Sequence, residues 1–378
     1  MDTAMLVLVG LIGLALLFDY TNGFHDSANS IATVVATGVL RPRWAVAWAA
    51  GFNFIAFLLV ATAVADTVGQ TVKPEFFSPT LVFAALFGAI SWNYVSWHLG
   101  LPTSSSHSLV GGLVGAGLAV GGFAALKGAS VIKTAVFILV SPVAGMLLGG
   151  LIMLGLRALL ARADVEKSER GFRWAQLVSS AAVSVGHGGN DAQKTMGVIA
   201  ALLVSTGHLQ AQDGHLPIPL WVGLAAASAI ALGTLSGGWR IVKTMGNDIT
   251  PLRPVSGFAA ETGAAIALFG STALGAPVST THTVAGAITG VGTVNKGASV
   301  DWSIFRRVAL AWLVTIPFAA VVSAGTYALA TLPNHAVAAT LCSLLVAALA
   351  VFVVIALRRA PGAGDVEPER RPAVAESL

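Results

Sequence analysis

Gly100-Leu-Pro-Thr-Ser-Ser-Ser-His-Ser-Leu-Val-Gly-Gly-Leu-Val-Gly-Ala-Gly117 returns later in the chain as Gly275-Ala-Pro-Val-Ser-Thr-Thr-His-Thr-Val-Ala-Gly-Ala-Ile-Thr-Gly-Val-Gly292. The two stretches stay in register throughout, with His107 matching His282, so the chain carries an internal repeat. A shorter pair points the same way: Gly23-Phe-His-Asp26-Ser-Ala-Asn29 pairs with Gly188-Gly-Asn-Asp191-Ala-Gln-Lys194. Each half thus holds an Asp motif in its first segment and a hydroxyl-rich motif further on.

Composition says what solvent this repeat lives in. Of 378 residues, 56% are hydrophobic and 10% charged, too few charges to cover a soluble surface of that size. The apolar runs are continuous rather than alternating, which favours helices over a barrel, and 42 glycines suit helices that pack closely in lipid. The runs extend from Met5 to Thr37, Trp44 to Ala65, Thr80 to Leu99, Thr103 to Leu126 and Thr134 to Leu160. A second set follows from Trp174 to Val204, Pro219 to Gly238, Val255 to Leu274, Val278 to Val294, Val308 to Leu332 and Ala336 to Leu357. The first run lacks a basic start and a cleavage site, so it reads as part of the mature protein rather than a leader. Cys342 is single and cannot close a disulfide within the chain.

The basic residues fall in short loops rather than on one face, which argues for topology and against a nucleic-acid partner despite a net charge of +4. With the N-terminus outside and the C-terminus in the cytoplasm, the inner loops hold Arg41 and Arg43, Arg157 to Arg173, Arg240, Lys243 and Arg253, Lys296, Arg306 and Arg307, and Arg358 and Arg359. Only Lys73, Lys127 and Lys133 fall on the other side. The first half then starts outside and the second inside. The expected fold is an all-α membrane protein, a polytopic helical bundle of two inverted-topology repeats with broken helices. Its divisions are a first repeat (1–161), a cytoplasmic linker (162–173), a second repeat (174–332), a C-terminal transmembrane helix (333–359) and a disordered tail (360–378). Thr80 to Leu126 and Val255 to Val294 are each either a re-entrant hairpin or two spanning helices, and the count of crossings leaves both open.

Polar residues inside apolar runs mark the candidate site. Asp19, Asn22, His25, Asp26 and Asn29 interrupt the first run, where a charge at the bilayer centre costs about 2.5 to 3.5 kcal/mol. The functional reading is a helix broken near Gly23, with Asp26 capping its second half and facing a coupling cation or proton; the plain alternative is an ordinary N-cap at the membrane surface. In the second copy Gly186, Gly188 and Gly189 would let the backbone unwind beside His187, Asn190, Asp191 and Lys194. Lys194 would pair with an Asp or attract an anion, or else snorkel to an interface. His25 and His187 have the intrinsic range to carry protons near neutral pH, though a membrane histidine is often only a packing residue. Ser104, Ser105 and Ser106, and Ser279, Thr280 and Thr281, follow Pro102 and Pro277, which can open a helix whose free N–H groups and hydroxyls cradle a tetrahedral oxyanion. Plain caps or interhelical hydrogen bonds are the alternative for any one copy.

Asn22-Gly-Phe-His-Asp-Ser-Ala-Asn29, Gly186-His-Gly-Gly-Asn-Asp-Ala-Gln-Lys194 and the two hydroxyl segments resemble the signatures of the Pit inorganic phosphate transporters, and the likeness spans nearly the whole chain. That resemblance implies a homodimer in the bacterial inner membrane and phosphate held between the Asp motifs and the hairpin hydroxyls, with Asn29, Asn190 and Lys194 among its ligands. It also implies a co-transported cation and no resident cofactor. His25-Asp26 in place of Asn-Asp, and Lys194 in the place of Asn29, look more like the bacterial low-affinity branch, which resembles a proton symporter carrying phosphate, often as a divalent metal-phosphate complex. Sodium at Asp26, Asn29 and Asp191 is the alternative coupling ion, and sulfate the alternative anion. An intramembrane hydrolase is a remote reading, since the sequence has neither a His-Glu-x-x-His nor a Gly-x-Ser-x-Gly motif.

Overall fold

Polar caps set where the long helices begin. Asp2 accepts from Met5 N at 2.8 Å, Ser78 from Leu81 N at 3.3 Å and Asp164 from Lys167 N at 3.1 Å; Asp301 and Asn334 do the same for the last two helices. The computed structural model describes residues 2–59, 63–162, 164–212, 215–276, 278–295 and 299–366. Among them the chain forms α1 (Thr3–Ala36), α2 (Pro42–Leu59), α3 (Ala63–Gly69), α4 (Pro79–His98), α5 (Ser105–Gly121) and α6 (Gly128–Leu160). After these come α7 (Val165–Ser205), α8 (Leu220–Ser236), α9 (Trp239–Lys243), α10 (Pro254–Ala273), α11 (Thr280–Val294), α12 (Trp302–Ala330) and α13 (His335–Arg358). The protein is all-helical, and among the described residues seven helices are long and apolar enough to cross a membrane, or eight if the bent pair α8 and α9 counts as one span. Neither α7 nor α10 is in that set; both carry buried polar groups and lie inside the bundle.

Packing partners recur between the halves in the same order. Helix α5 lies against α12 as α11 lies against α6, α4 against α12 as α10 against α6, and α1 against α8 as α7 against α2. Each hairpin is therefore seated on the last long helix of the other half. Glycine makes the seats: a Cβ on Gly115 would lie 2.1 Å from Ala320 O, and one on Gly290 would lie 2.0 Å from Met146 O. The hairpin turns are fastened in matching fashion. Thr244 Oγ1 donates to Gly100 O at 2.8 Å, and Thr67 Oγ1 donates to Gly275 O at 3.1 Å. Gly100 and Gly275 have φ of +67° and +58°, a left-handed turn that a side chain would strain.

Three expectations are corrected. Helices α1 and α7 run unbroken through Gly23 and through Gly186 to Gly189, so Asp26 sits in mid-helix and caps nothing. The glycines there serve close approach instead: a Cβ on Gly23 would lie 2.0 Å from Ile230 O, and one on Gly188 would lie 2.4 Å from Asn53 O. The real interruption is the 65° bend between α8 and α9, which runs on into a π-helical turn at Thr244–Asp248. Second, Pro102 does not open α5. Ser104 caps that helix, and Pro102 stands ahead of it with its carbonyl accepting from Trp312 Nε1 at 2.8 Å. Pro277 and Lys296 lie outside the described residues. Third, the tail is ordered as far as Val366: Arg240 Nη2 donates to Arg359 O at 2.6 Å, Ala363–Val366 form a 3-10 turn, and Val366 is buried. Residues 367–378 of the expected disordered tail lie outside the described residues. Most of the expected linker, residues 165–173, is the first part of α7.

Gly23→Ala should push α1 away from α8 and lower stability by about 1 to 3 kcal/mol, the usual cost of overpacking. Gly10→Ala, with nothing within 4 Å of its added Cβ, should have no such effect. Thermal denaturation of the two purified variants in detergent checks the contrast.

Candidate functional site

The unbroken helices carry the two Asp motifs into the middle of the molecule, where both hairpin turns deliver their hydroxyls. Asp26 on α1 and Asp191 on α7 are buried, and single oxygens of each lie within 4.8 Å of one another and of a His187 ring nitrogen. The hairpins meet at the same place, with the His107 and His282 rings 4.8 Å apart and the His282 ring stacked on Trp312 at 4.1 Å. All of these groups are buried.

Two kinds of contact appear in matched copies. Within each half, a hairpin hydroxyl reaches the Asp of that half: Ser105 Oγ donates to Asp26 Oδ2 at 2.9 Å, and Thr280 Oγ1 donates to Asp191 Oδ1 at 3.4 Å. Between halves, the next hydroxyl accepts from the opposite Asp motif: Asn29 Nδ2 donates to Thr281 Oγ1 at 3.0 Å, and Lys194 Nζ donates to Ser106 Oγ. Each carboxylate also has a local partner. His25 Nδ1 lies 2.6 Å from Asp26 Oδ1, while Lys194 Nζ bonds Asp191 Oδ1 and His187 Nε2 stands 3.4 Å from Asp191 Oδ2. Lys194, 1% exposed, is thus no snorkelling surface lysine.

Not every expected residue joins the centre. Ser104 and Ser279 act as plain caps, accepting from His107 N at 3.2 Å and His282 N at 3.1 Å. Asn190 turns aside and donates to Thr272 Oγ1 at 3.0 Å. The structure also brings in groups that the sequence did not single out as ligands. Asn22 Oδ1 lies 2.6 Å from Ser105 Oγ and competes with Asp26 for its one proton, and Ser96 Oγ lies 3.0 Å from His25 Nε2. Asn22 lies within the first Asp motif, four residues and one turn before Asp26, which was its signal. Ser96 gave none, being one of two serines in α4 and outside every repeated motif.

A further buried carboxylate, Glu261 of α10, is met by side chains from α1 and α7. Glu261 Oε1 accepts from Gln176 Nε2 at 3.1 Å and from Thr33 Oγ1, and its Oε2 accepts from Ser179 Oγ. Three donors answer one carboxylate. A lone Glu within the apolar run Val255 to Leu274 was the available signal.

Residues 22–323 match the model of the Phosphate transporter family. The chain belongs to that family. It is 52% identical over 322 residues to a protein of Rhizobium meliloti (strain 1021) named a probable low-affinity inorganic phosphate transporter, covering 85% of this chain and 96% of the other. A Bacillus subtilis (strain 168) protein of the same name is 40% identical over 332 residues, covering 86% and 98%. Among solved structures, one named the sodium-dependent phosphate transporter superposes with a TM-score of 0.76 at 26% identity, covering 86% of this chain and 99% of that one. The family's members are transporters, not enzymes, and the apolar helices make this one a multi-pass membrane protein.

Glu261→Leu strands three buried donors, whereas Gln176→Leu removes one of them. At about 1 to 3 kcal/mol for each unsatisfied group, the first should lower the melting temperature well beyond the second.

Proposed function

We propose that the chain is a secondary active symporter of inorganic phosphate, coupled to protons and working by alternating access. Phosphate is held at mid-membrane by Ser105, Ser106, Thr280 and Thr281 beside Asp26 and Asp191. The observation that carries this reading is the convergence of both Asp motifs and both hairpin turns on one buried point. The names of the relatives support phosphate as the anion and favour it over sulfate.

Electrostatics explains why such a site must couple. Asp26 and Asp191 outnumber the one ammonium of Lys194, with Asp19 buried nearby on α1, so burying an oxyanion beside the hydroxyls unneutralised is costly. A cation that arrives with the anion removes the penalty. In the proton reading, the proton resides on the His25–Asp26 pair, whose atoms are 2.6 Å apart, and His187 serves Asp191 in the same way. A metal ion delivered with the phosphate would meet the Asp26, His187 and Asp191 ligand atoms, which are close enough to hold it. The sodium-coupled alternative draws support from the solved neighbour, whose name calls it sodium-dependent.

The recurring packing order supports two inverted repeats. Arg240, Lys243 and Arg359 line one cavity, and Arg41 and Arg43 line another with Ala363 and Gly364, consistent with one cation-rich face toward the cytoplasm. Lys127 and Lys133 line a cavity with Asp66 and His215; we assign it to the outer face. A homodimer in the inner membrane completes the reading.

In proteoliposomes, uptake of phosphate should be driven by an imposed pH gradient without sodium, and be competed by arsenate but not by sulfate. Asp26→Asn and Asp191→Asn should each abolish coupled uptake while the protein stays monodisperse; near-normal uptake by either would sink the coupling role. Ser105→Ala removes one charge-assisted hydrogen bond from the hydroxyl to the bound phosphate, about 1.5 to 3 kcal/mol, and should raise the KM for phosphate by about tenfold or more.

A further inference from the structure

The matched contacts of the site differ at one position in charge: Asn29 in the first half stands against Lys194 in the second. The surroundings of the two are alike, since each reaches a hydroxyl of the opposite hairpin and each sits three residues, one helical turn, after its Asp. Their chemistry is not alike. Lys194 Nζ contacts a carboxylate oxygen of Asp191, the hydroxyl of Ser106 and the carbonyl of Val278 at 3.3 Å. Carboxylate, hydroxyl and carbonyl oxygens are the ligands that hard metal cations draw. On the other side, Asn29 brings no charge and leaves Oδ1 buried with no hydrogen-bond partner.

We propose that the Lys194 ammonium is a tethered cation standing in the place of a mobile metal ion in the second half. The chain therefore keeps one place for a travelling cation, in the Asp26 half, where Asn29 brings no charge of its own. An ammonium fixed to α7 cannot dissociate, so it neutralises Asp191 in every step of the cycle and draws no energy from an ion gradient. Only the Asp26 half then needs a cation that arrives and leaves, which leaves Asp191 the task of holding the ammonium rather than exchanging a proton with His187. The proposal rests on the reading of this site as the place where the oxyanion binds, but it concerns the cation and can be tested apart from it.

A structural role alone is the competing account of Lys194, because a buried ion pair can simply hold two helices together. Lys194→Asn distinguishes the two, since it rebuilds in the second half what Asn29 already is in the first. The full chain and the variant are purified and tested for sodium binding with radioactive sodium, for sodium-dependent thermal stabilisation against choline, and for phosphate uptake in vesicles. The variant should bind one more sodium ion per chain than the parent and be stabilised by sodium more strongly. Sodium should raise its apparent phosphate affinity by about tenfold, within the usual range for two coupled ligands. Equal sodium binding by variant and parent would overturn the proposal, as would variant uptake in choline matching that of the parent. A variant that stays unfolded in saturating sodium would overturn it too, because the mobile ion should replace what the ammonium supplied. A sodium gain without phosphate transport by the parent would instead sink the substrate reading and leave the tethered cation standing.

Discussion

Two carboxylates held away from water inside an apolar body govern the rest of this structure. Asp26 and Asp191 are both buried, and a charge placed so deep persists only if its oxygens are answered by donors or by opposite charge. The donors come from elements distant in sequence. Ser105 crosses from the first hairpin to Asp26, Thr280 from the second hairpin to Asp191, and Lys194 ties Asp191 to the first hairpin through Ser106. Four chain segments thus meet because none of them can leave its polar groups in lipid unpartnered.

Such a meeting requires backbones to come close. Gly115 against Ala320 and Gly290 against Met146 let each hairpin lie directly on the long helix of the opposite half, and Gly23 lets α1 lie directly on α8. In lipid there is no hydrophobic gain from pressing two apolar helices together, so close contact of small residues is what holds the bundle. That logic also explains where sequence reasoning went astray. A glycine in a polar stretch of a membrane segment looks like a point of unwinding, yet the same residue is what a close helix crossing demands. The sequence does not say which use applies, because the Ile230 carbonyl that presses on Gly23 belongs to a segment more than two hundred residues away.

The ends of α1, α4, α8, α10 and α13 were legible to within two residues because they follow local apolar runs, whereas α6, α7 and α12 begin six to nine residues ahead of theirs, α7 and α12 from the caps Asp164 and Asp301 in polar sequence. The site was legible as a set of residue types and only in part as a geometry. Asp26, Asp191, Ser105, Ser106, Thr280, Thr281, Asn29 and Lys194 gather as their repeated positions suggested. Asn190 carries the same chemistry one position from Asp191 and faces another partner, because one residue along a helix turns a side chain by about 100°, while Ser104 and Ser279 are taken up as helix caps. Repetition revealed which motifs converge; the helical phase that selects within a motif needed the fold.

A polar cluster so deeply buried also constrains which parts of the fold can open toward it. The turn of the first hairpin is fastened at Gly100 by Thr244, and Arg240 donates to the His98 carbonyl beside it at 3.0 Å. The turn of the second is fastened at Gly275 by Thr67 and by Lys133, whose Nζ lies 2.8 Å from the same carbonyl. Each fastening consists of single hydrogen bonds to one or two backbone oxygens, worth about 1 kcal/mol apiece, whereas each hairpin helix is seated along a glycine-lined face. Displacing a turn therefore costs far less than unseating a helix. The hydroxyls of Ser105 and Thr280 lie just beyond those turns, so moving one turn would alter the shell of one carboxylate and leave the other intact. The weak points of the fold and the polar ends of the site are thus the same short segments of chain, one in each half.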